Sequence, residues 1–158
     1  MMRGFTLVEL LVTITVAAIL ATIAIPSFQD ATLNGKLSSL ANNFVASAQL
    51  ARGEAIKRNT TVTLCASSNG TSCTGAWKDG WVVLAGATVI YSHGPLPNGF
   101  LLTGGVTSIN FQPTAVGATA ADLTLCRATP TVGTSQRAIS VTLTGRSSVT
   151  KTTGTSCA

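Results

Sequence analysis

The chain reads as an α+β protein: one long N-terminal helix packed on a small antiparallel β-sheet or sandwich. Three observations predict this. An uninterrupted apolar run fills residues 5–25. A three- and four-residue apolar stripe follows over residues 33–55, as on the buried face of a helix. From residue 61 the pattern changes to short β-type runs separated by turn residues.

Glu9 is the only charge between Phe5 and Ile25. As a helix that run is about 30 Å long, roughly the thickness of a bilayer core. A carboxylate inside a membrane is costly, so a charge kept there implies a partner. A secretory signal would place small residues after its apolar core. Here Gly4 precedes it, so a cut after Gly4 removes only residues 1–4 and leaves the apolar helix on the chain.

The motif Gly4-Phe5-Thr6-Leu7-Val8-Glu9-Leu10 resembles the prepilin motif of type IV pilins and type II secretion pseudopilins. The resemblance implies cleavage after Gly4 by a prepilin peptidase and methylation of the new N-terminal Phe5. It also implies that Glu9 pairs with the terminal amine of a neighbouring subunit during assembly.

Beyond Pro26, which can kink a helix without ending it, Leu33, Leu37, Leu40, Phe44, Ala48, Ala51 and Ala55 form the stripe. Lys57, Arg58 and Asn59 mark its end: cations in the last turn, then a residue that tolerates a left-handed backbone. The expected divisions are a leader at 1–4, an apolar half-helix at 5–28, an amphipathic half-helix at 29–60 and a β-rich head at 61–158.

Candidate strands are residues 61–65, 81–85, 89–91, 100–103, 108–111, 123–126 and 138–144. In the last, Ile139, Val141 and Leu143 alternate with Ser140, Thr142 and Thr144, which places all three apolar residues on a buried face. Asp79-Gly80, Asn98-Gly99 and Gly104-Gly105 are turn signals. Residues 113–121 read as a loop.

The segment Ala51-Arg52-Gly53-Glu54-Ala55, the strand Val62-Thr63-Leu64-Cys65 and Asp79-Gly80-Trp81-Val82-Val83 resemble the GspH/FimT family of minor pilins and pseudopilins. Gly53 stands where that family usually has Ser. The resemblance implies a minor pilus subunit acting in priming or at the tip, with a pseudopilin of type II secretion as the alternative. It implies an inner-membrane precursor with a periplasmic head, later part of a pilus or pseudopilus at the cell surface. Partners would be the prepilin peptidase and other pilin-type subunits. Some members of the FimT branch bind DNA for natural transformation through Gly-Arg-x-Arg. Gly145-Arg146 matches its first half, but Ser148 replaces the second Arg. Lys151, Arg127 and Arg137 are then the candidates to complete a DNA-binding patch.

Composition sets the remaining bounds. The chain has 158 residues, only 9% charged, with a net charge of +5. A mildly basic head favours anionic partners without selecting one. Cys65, Cys73, Cys126 and Cys157 allow three pairings. Cys65–Cys73, closing a short loop, and Cys126–Cys157, tying down the tail, are favoured. With one histidine and no close Cys pair, no metal site or cofactor is expected. His93, in Tyr91-Ser92-His93-Gly94-Pro95, reads as a solvated turn residue. No nucleophile elbow or phosphate loop supports catalysis, so an enzyme is not expected.

Overall fold

Helix α1 runs unbroken over Leu7–Arg58, with Pro26 inside it. The computed structural model describes residues 5–114, 116–128, 135–154, 156 and 157; the leader with Gly4 lies outside them. The chain divides into two compact units, residues 1–35 and 36–158. In the first, every described residue up to Thr32 is exposed. Such a helix is long and apolar enough to cross a membrane.

The end of α1 is defined by backbone chemistry. Asn59 is left-handed, with φ +52°. Its N–H reaches the Ile56 carbonyl and that of Thr60 reaches Ala55, the two bonds of a Schellman motif. Glu54 holds Lys57 and Arg58 on the same turn.

Eight strands follow: β1 (Val62–Ala66), β2 (Trp81–Ala85), β3 (Thr88–His93), β4 (Phe100–Gly104), β5 (Ser108–Phe111), β6 (Ala121–Arg127), β7 (Ser135–Val141) and β8 (Ser147–Thr153). They form two antiparallel four-stranded sheets, ordered β3-β2-β1-β5 and β4-β6-β7-β8. Of the stripe, Leu33 is half-buried, while Leu37, Leu40, Phe44, Ala48, Ala51 and Ala55 are buried, joined by Ala41. With Val62, Leu64, Trp81, Val83, Ile109 and Phe111 of the first sheet, and Leu123, Leu125, Ile139 and Val141 of the second, they make the core.

Phe44 is its aromatic centre. Trp77 and Trp81 both meet the Phe44 ring edge-on, with centroids 5.3 and 5.4 Å away. Trp81 Nε1 donates to Ser47 Oγ at 2.9 Å, and Ser47 Oγ donates in turn to the Asn43 carbonyl. The buried indole N–H is therefore satisfied by the helix on which it packs. Gly80 makes this geometry possible. Its φ is +118°, and a Cβ there would lie 2.4 Å from the His93 carbonyl oxygen.

Three readings of the sequence need correction. Residues 138–144 are not one strand. β7 ends at Val141, and Thr142–Arg146 is a turn closed by Gly145 N–H to the Thr142 carbonyl and Thr142 N–H to the Arg146 carbonyl. Leu143 consequently leaves the buried face and is 64% exposed. β8 has no counterpart among the predicted strands, because its one large apolar residue, Val149, gives no alternation to read. His93 is not a solvated turn residue. It ends β3, half-buried, and stacks on Trp81 with centroids 3.8 Å apart and planes 6° apart.

Cys65 is joined to Cys73 and Cys126 to Cys157. The first bridge closes a loop organised by Asn69, whose Oδ1 accepts from the N–H groups of Thr71 and Ser72. The second holds the tail against β6, and Gln136 Nε2 donates to the Ser156 carbonyl beside it.

Two outcomes follow. Ser47→Ala leaves the Trp81 N–H buried without an acceptor and should lower the stability of the head by about 1–3 kcal/mol in denaturant melts. Hydrogen bonding from Arg58 depresses the Glu54 carboxyl below its ordinary value. A group whose folded pKa is depressed stabilises the fold above its unfolded pKa, and the contribution is lost as pH falls through the folded value. The end of α1 should therefore loosen on acidification through and below the ordinary glutamate range, as read by amide exchange at Ile56 to Arg58. Glu54→Gln should remove that dependence.

Candidate functional sites: the helix start and the β7–β8 turn

The start of α1 is a reciprocal cap. Thr6 N–H donates to Glu9 Oε2 at 3.0 Å, and the Thr6 hydroxyl donates to the same oxygen at 2.9 Å. Glu9 N–H donates back to Thr6 Oγ1 at 3.3 Å. This is a capping box, with Thr at the N-cap and Glu three residues on. Its signature, Thr6-Leu7-Val8-Glu9, stands in the sequence, and the sequence analysis passed over it.

The box changes the meaning of Glu9. In hydrocarbon an unpaired backbone N–H costs several kcal/mol. The carboxylate satisfies one such group and lies where a helix start favours negative charge. Only Oε2 is used; Oε1 takes no bond among the described residues. An ionised carboxylate has room for further donors, so an ammonium from outside can be accepted without breaking the cap. Phe5, the residue beside this box, is fully open to such encounters.

The head carries the other candidates, and the structure separates them. Arg127, on β6, is half-buried with its guanidinium 5.1 Å above the Phe100 ring. Arg137, on β7, is only 7% exposed. Its Nε and Nη2 donate to Ser38 Oγ at 3.3 and 3.0 Å, and Nη1 donates to the Gln136 carbonyl. Arg137 thus ties the second sheet to α1 and does not contribute to a surface patch. Lys151 is exposed on β8 opposite Arg137. Arg146 is exposed at the end of the β7–β8 turn. Lys151 lies five residues further along the chain, about 16 Å at ~3.3 Å per residue. Of the five DNA-binding candidates, Gly145 is buried in the turn, and Arg146 and Lys151 are the cations left at the surface.

A residue that the sequence analysis did not single out meets this turn. At Gly145, with φ +72°, a Cβ would lie 3.2 Å from Arg52 Cδ and 3.3 Å from Arg52 Nε. Only glycine lets the Arg52 side chain lie so close to the turn. The contact joins positions 93 residues apart, so no local pattern announces it.

Comparison with known proteins gives these sites a family. A family model described as "Type II transport protein GspH" matches residues 40–145, and one described as "Prokaryotic N-terminal methylation motif" matches residues 1–25. The chain belongs to the GspH family. The GspH match spans Arg52, both tryptophans and the turn to Gly145, and the methylation motif contains Phe5, Thr6 and Glu9. Two crystal forms of the Pseudomonas aeruginosa PAO1 type IV minor pilin FimU share the fold. One aligns with TM-score 0.60 over 77% of this chain and 100% of that one, the other with 0.62 over 80% and 98%, each at 21% identity. No curated protein is a significant match. The GspH family is one of pilin-type structural subunits rather than of enzymes.

Proposed function

We propose that the chain is a minor pilin-type subunit that enters a fibre through α1. The observation that carries this reading is the combination at the helix start: an exposed apolar run whose one charge between Phe5 and Ile25, Glu9, caps its own first turn while keeping one oxygen free among the described residues. Maturation begins with removal of residues 1–4 by a prepilin peptidase, followed by methylation of Phe5. The precursor sits in the inner membrane with its head in the periplasm. On assembly, the new Phe5 ammonium of one subunit meets Glu9 Oε1 of another. Moving the helix from lipid into a fibre then keeps the Thr6–Glu9 cap intact and gives the carboxylate a partner.

Within such a fibre we place the chain as a priming or tip subunit of a type IV pilus, supported by its likeness in fold to a minor pilin. The family description equally supports a pseudopilin of type II secretion. Copurification with pilus or with secretion subunits separates the two. DNA binding is a second reading, supported by the exposed Arg146 and Lys151. Arg127 would add to it only from beside Phe100, and Arg137 is taken up by Ser38.

Two tests bear on these readings. Glu9→Gln keeps a side chain able to cap Thr6 but removes the charge. The head and helix should remain folded, while recovery of the variant in sheared fibres falls at least tenfold; undiminished recovery contradicts the assembly role of the charge. For DNA, the full chain in detergent micelles should retard a duplex at low salt and lose this effect with Arg146→Gln and Lys151→Gln together. Because phosphate contacts weaken steeply with salt, retardation that survives high salt, or none at low salt, removes the DNA reading.

A further inference from the structure

Among the described residues the Arg52 guanidinium has no hydrogen-bond acceptor. It is half-buried, its Nε is enclosed without a hydrogen-bond partner, and no ion pair reaches it among the described residues. The nearest carboxylate in sequence, Glu54, is taken by Lys57 and Arg58. An enclosed donor left unpaired is unfavourable, and the Arg146 charge next to Gly145 adds to the local positive excess.

The same place carries the two most exposed large apolar side chains among the described residues of the head. Leu143 is 64% and Val116 62% exposed. They are neighbours, because the Leu143 carbonyl accepts from both Gly117 and Ala118 N–H at 2.9 Å. The turn that presents Leu143 is held by its own bonds, including Arg146 N–H to Thr142 Oγ1. A fixed apolar pair beside Arg52 and the exposed Arg146 has the composition of a protein-docking surface. A single-stranded nucleic acid would be met by aromatic stacking partners, and none is exposed at this turn among the described residues.

The chain also holds a complementary surface. Asp30 is exposed and unpaired among the described residues, two positions from Phe28, which is 74% exposed. Glu9, Glu54 and Asp79 are engaged in their own turns, and Asp122 on β6, also exposed, has no exposed large apolar side chain within two positions of it.

We propose that a second copy of the chain docks here, its Phe28–Asp30 helical segment against Leu143 and Val116, with Asp30 supplying the carboxylate that Arg52 lacks. The contact goes beyond the fibre reading and does not require a fibre. It would add a head-to-helix contact to whatever the apolar helices contribute.

The test is sedimentation of the full chain in detergent micelles. Self-association should weaken with salt. Arg52→Glu and Asp30→Arg should each weaken it about tenfold, the order of one close charge pair, and the two changes in one chain should restore it. Leu143→Asp, at an exposed side chain, should weaken it without altering the thermal melt, which covers the case in which Arg52→Glu perturbs the head. A monomeric chain at low salt, or association indifferent to Asp30 and Leu143, overturns the proposal. So does unchanged association accompanied by Arg52-dependent retardation of DNA, which would make the surface a nucleic-acid site.

Discussion

One hydrogen-bonded helix has to serve two surroundings, and the rest of the molecule is organised by that constraint. From Leu7 to Arg58 the helix is continuous, lacking the bond that Pro26 cannot donate to the Thr22 carbonyl, so the surroundings of each turn are decided mainly by side chains. Up to Thr32 the described side chains are exposed. At roughly 25 cal/mol per Å², apolar surface left open on this scale strongly favours transfer to another medium. From Leu37 onward the same helix supplies one face of a packed core. Both ends are closed by local devices, the Thr6–Glu9 box and the Asn59 Schellman turn.

The docked part depends on a small polar exception inside an apolar face. Ser47 interrupts the stripe of alanines, leucines and Phe44, and its hydroxyl relays between the Trp81 N–H and the Asn43 carbonyl. Arg137 with Ser38 does similar work for the second sheet. A hydroxyl on α1 therefore faces each sheet. Small alanines at 41, 48, 51 and 55 let the strands approach the helix, and these two contacts define how it is seated. The loops that carry the remaining candidate chemistry are positioned by this scaffold.

What could be read from the sequence follows from how local each signal is. The helix was legible because its stripe repeats over many turns, and its end because Lys57-Arg58-Asn59 is a local cap. The strands with an apolar face, such as Trp81–Ala85 and Ser108–Phe111, were legible for the same reason. β8 was not: Ser147–Thr153 is a polar edge strand whose pairing is fixed by β7. Leu143 misled because strict alternation continues in the sequence past the point at which Gly145 turns the chain. The motif from Phe5 to Glu9 located the helix-start site. The capping role of Glu9 was also written there, but an apolar run draws attention to burial and away from the Thr-x-x-Glu spacing. The meeting of Arg52 with Gly145 could not be read at all, since it arises only when the helix is laid across two sheets.

The central claim is that residues 7–25 leave water for a bilayer while the helix stays intact. The most direct measurement is the depth of a nitroxide at Val16 in the full chain reconstituted in lipid vesicles, read by power-saturation spectroscopy. The account predicts a label reached by dissolved oxygen and shielded from a water-soluble nickel chelate. A label at Val16 as open to the chelate as one at Lys36 would contradict it.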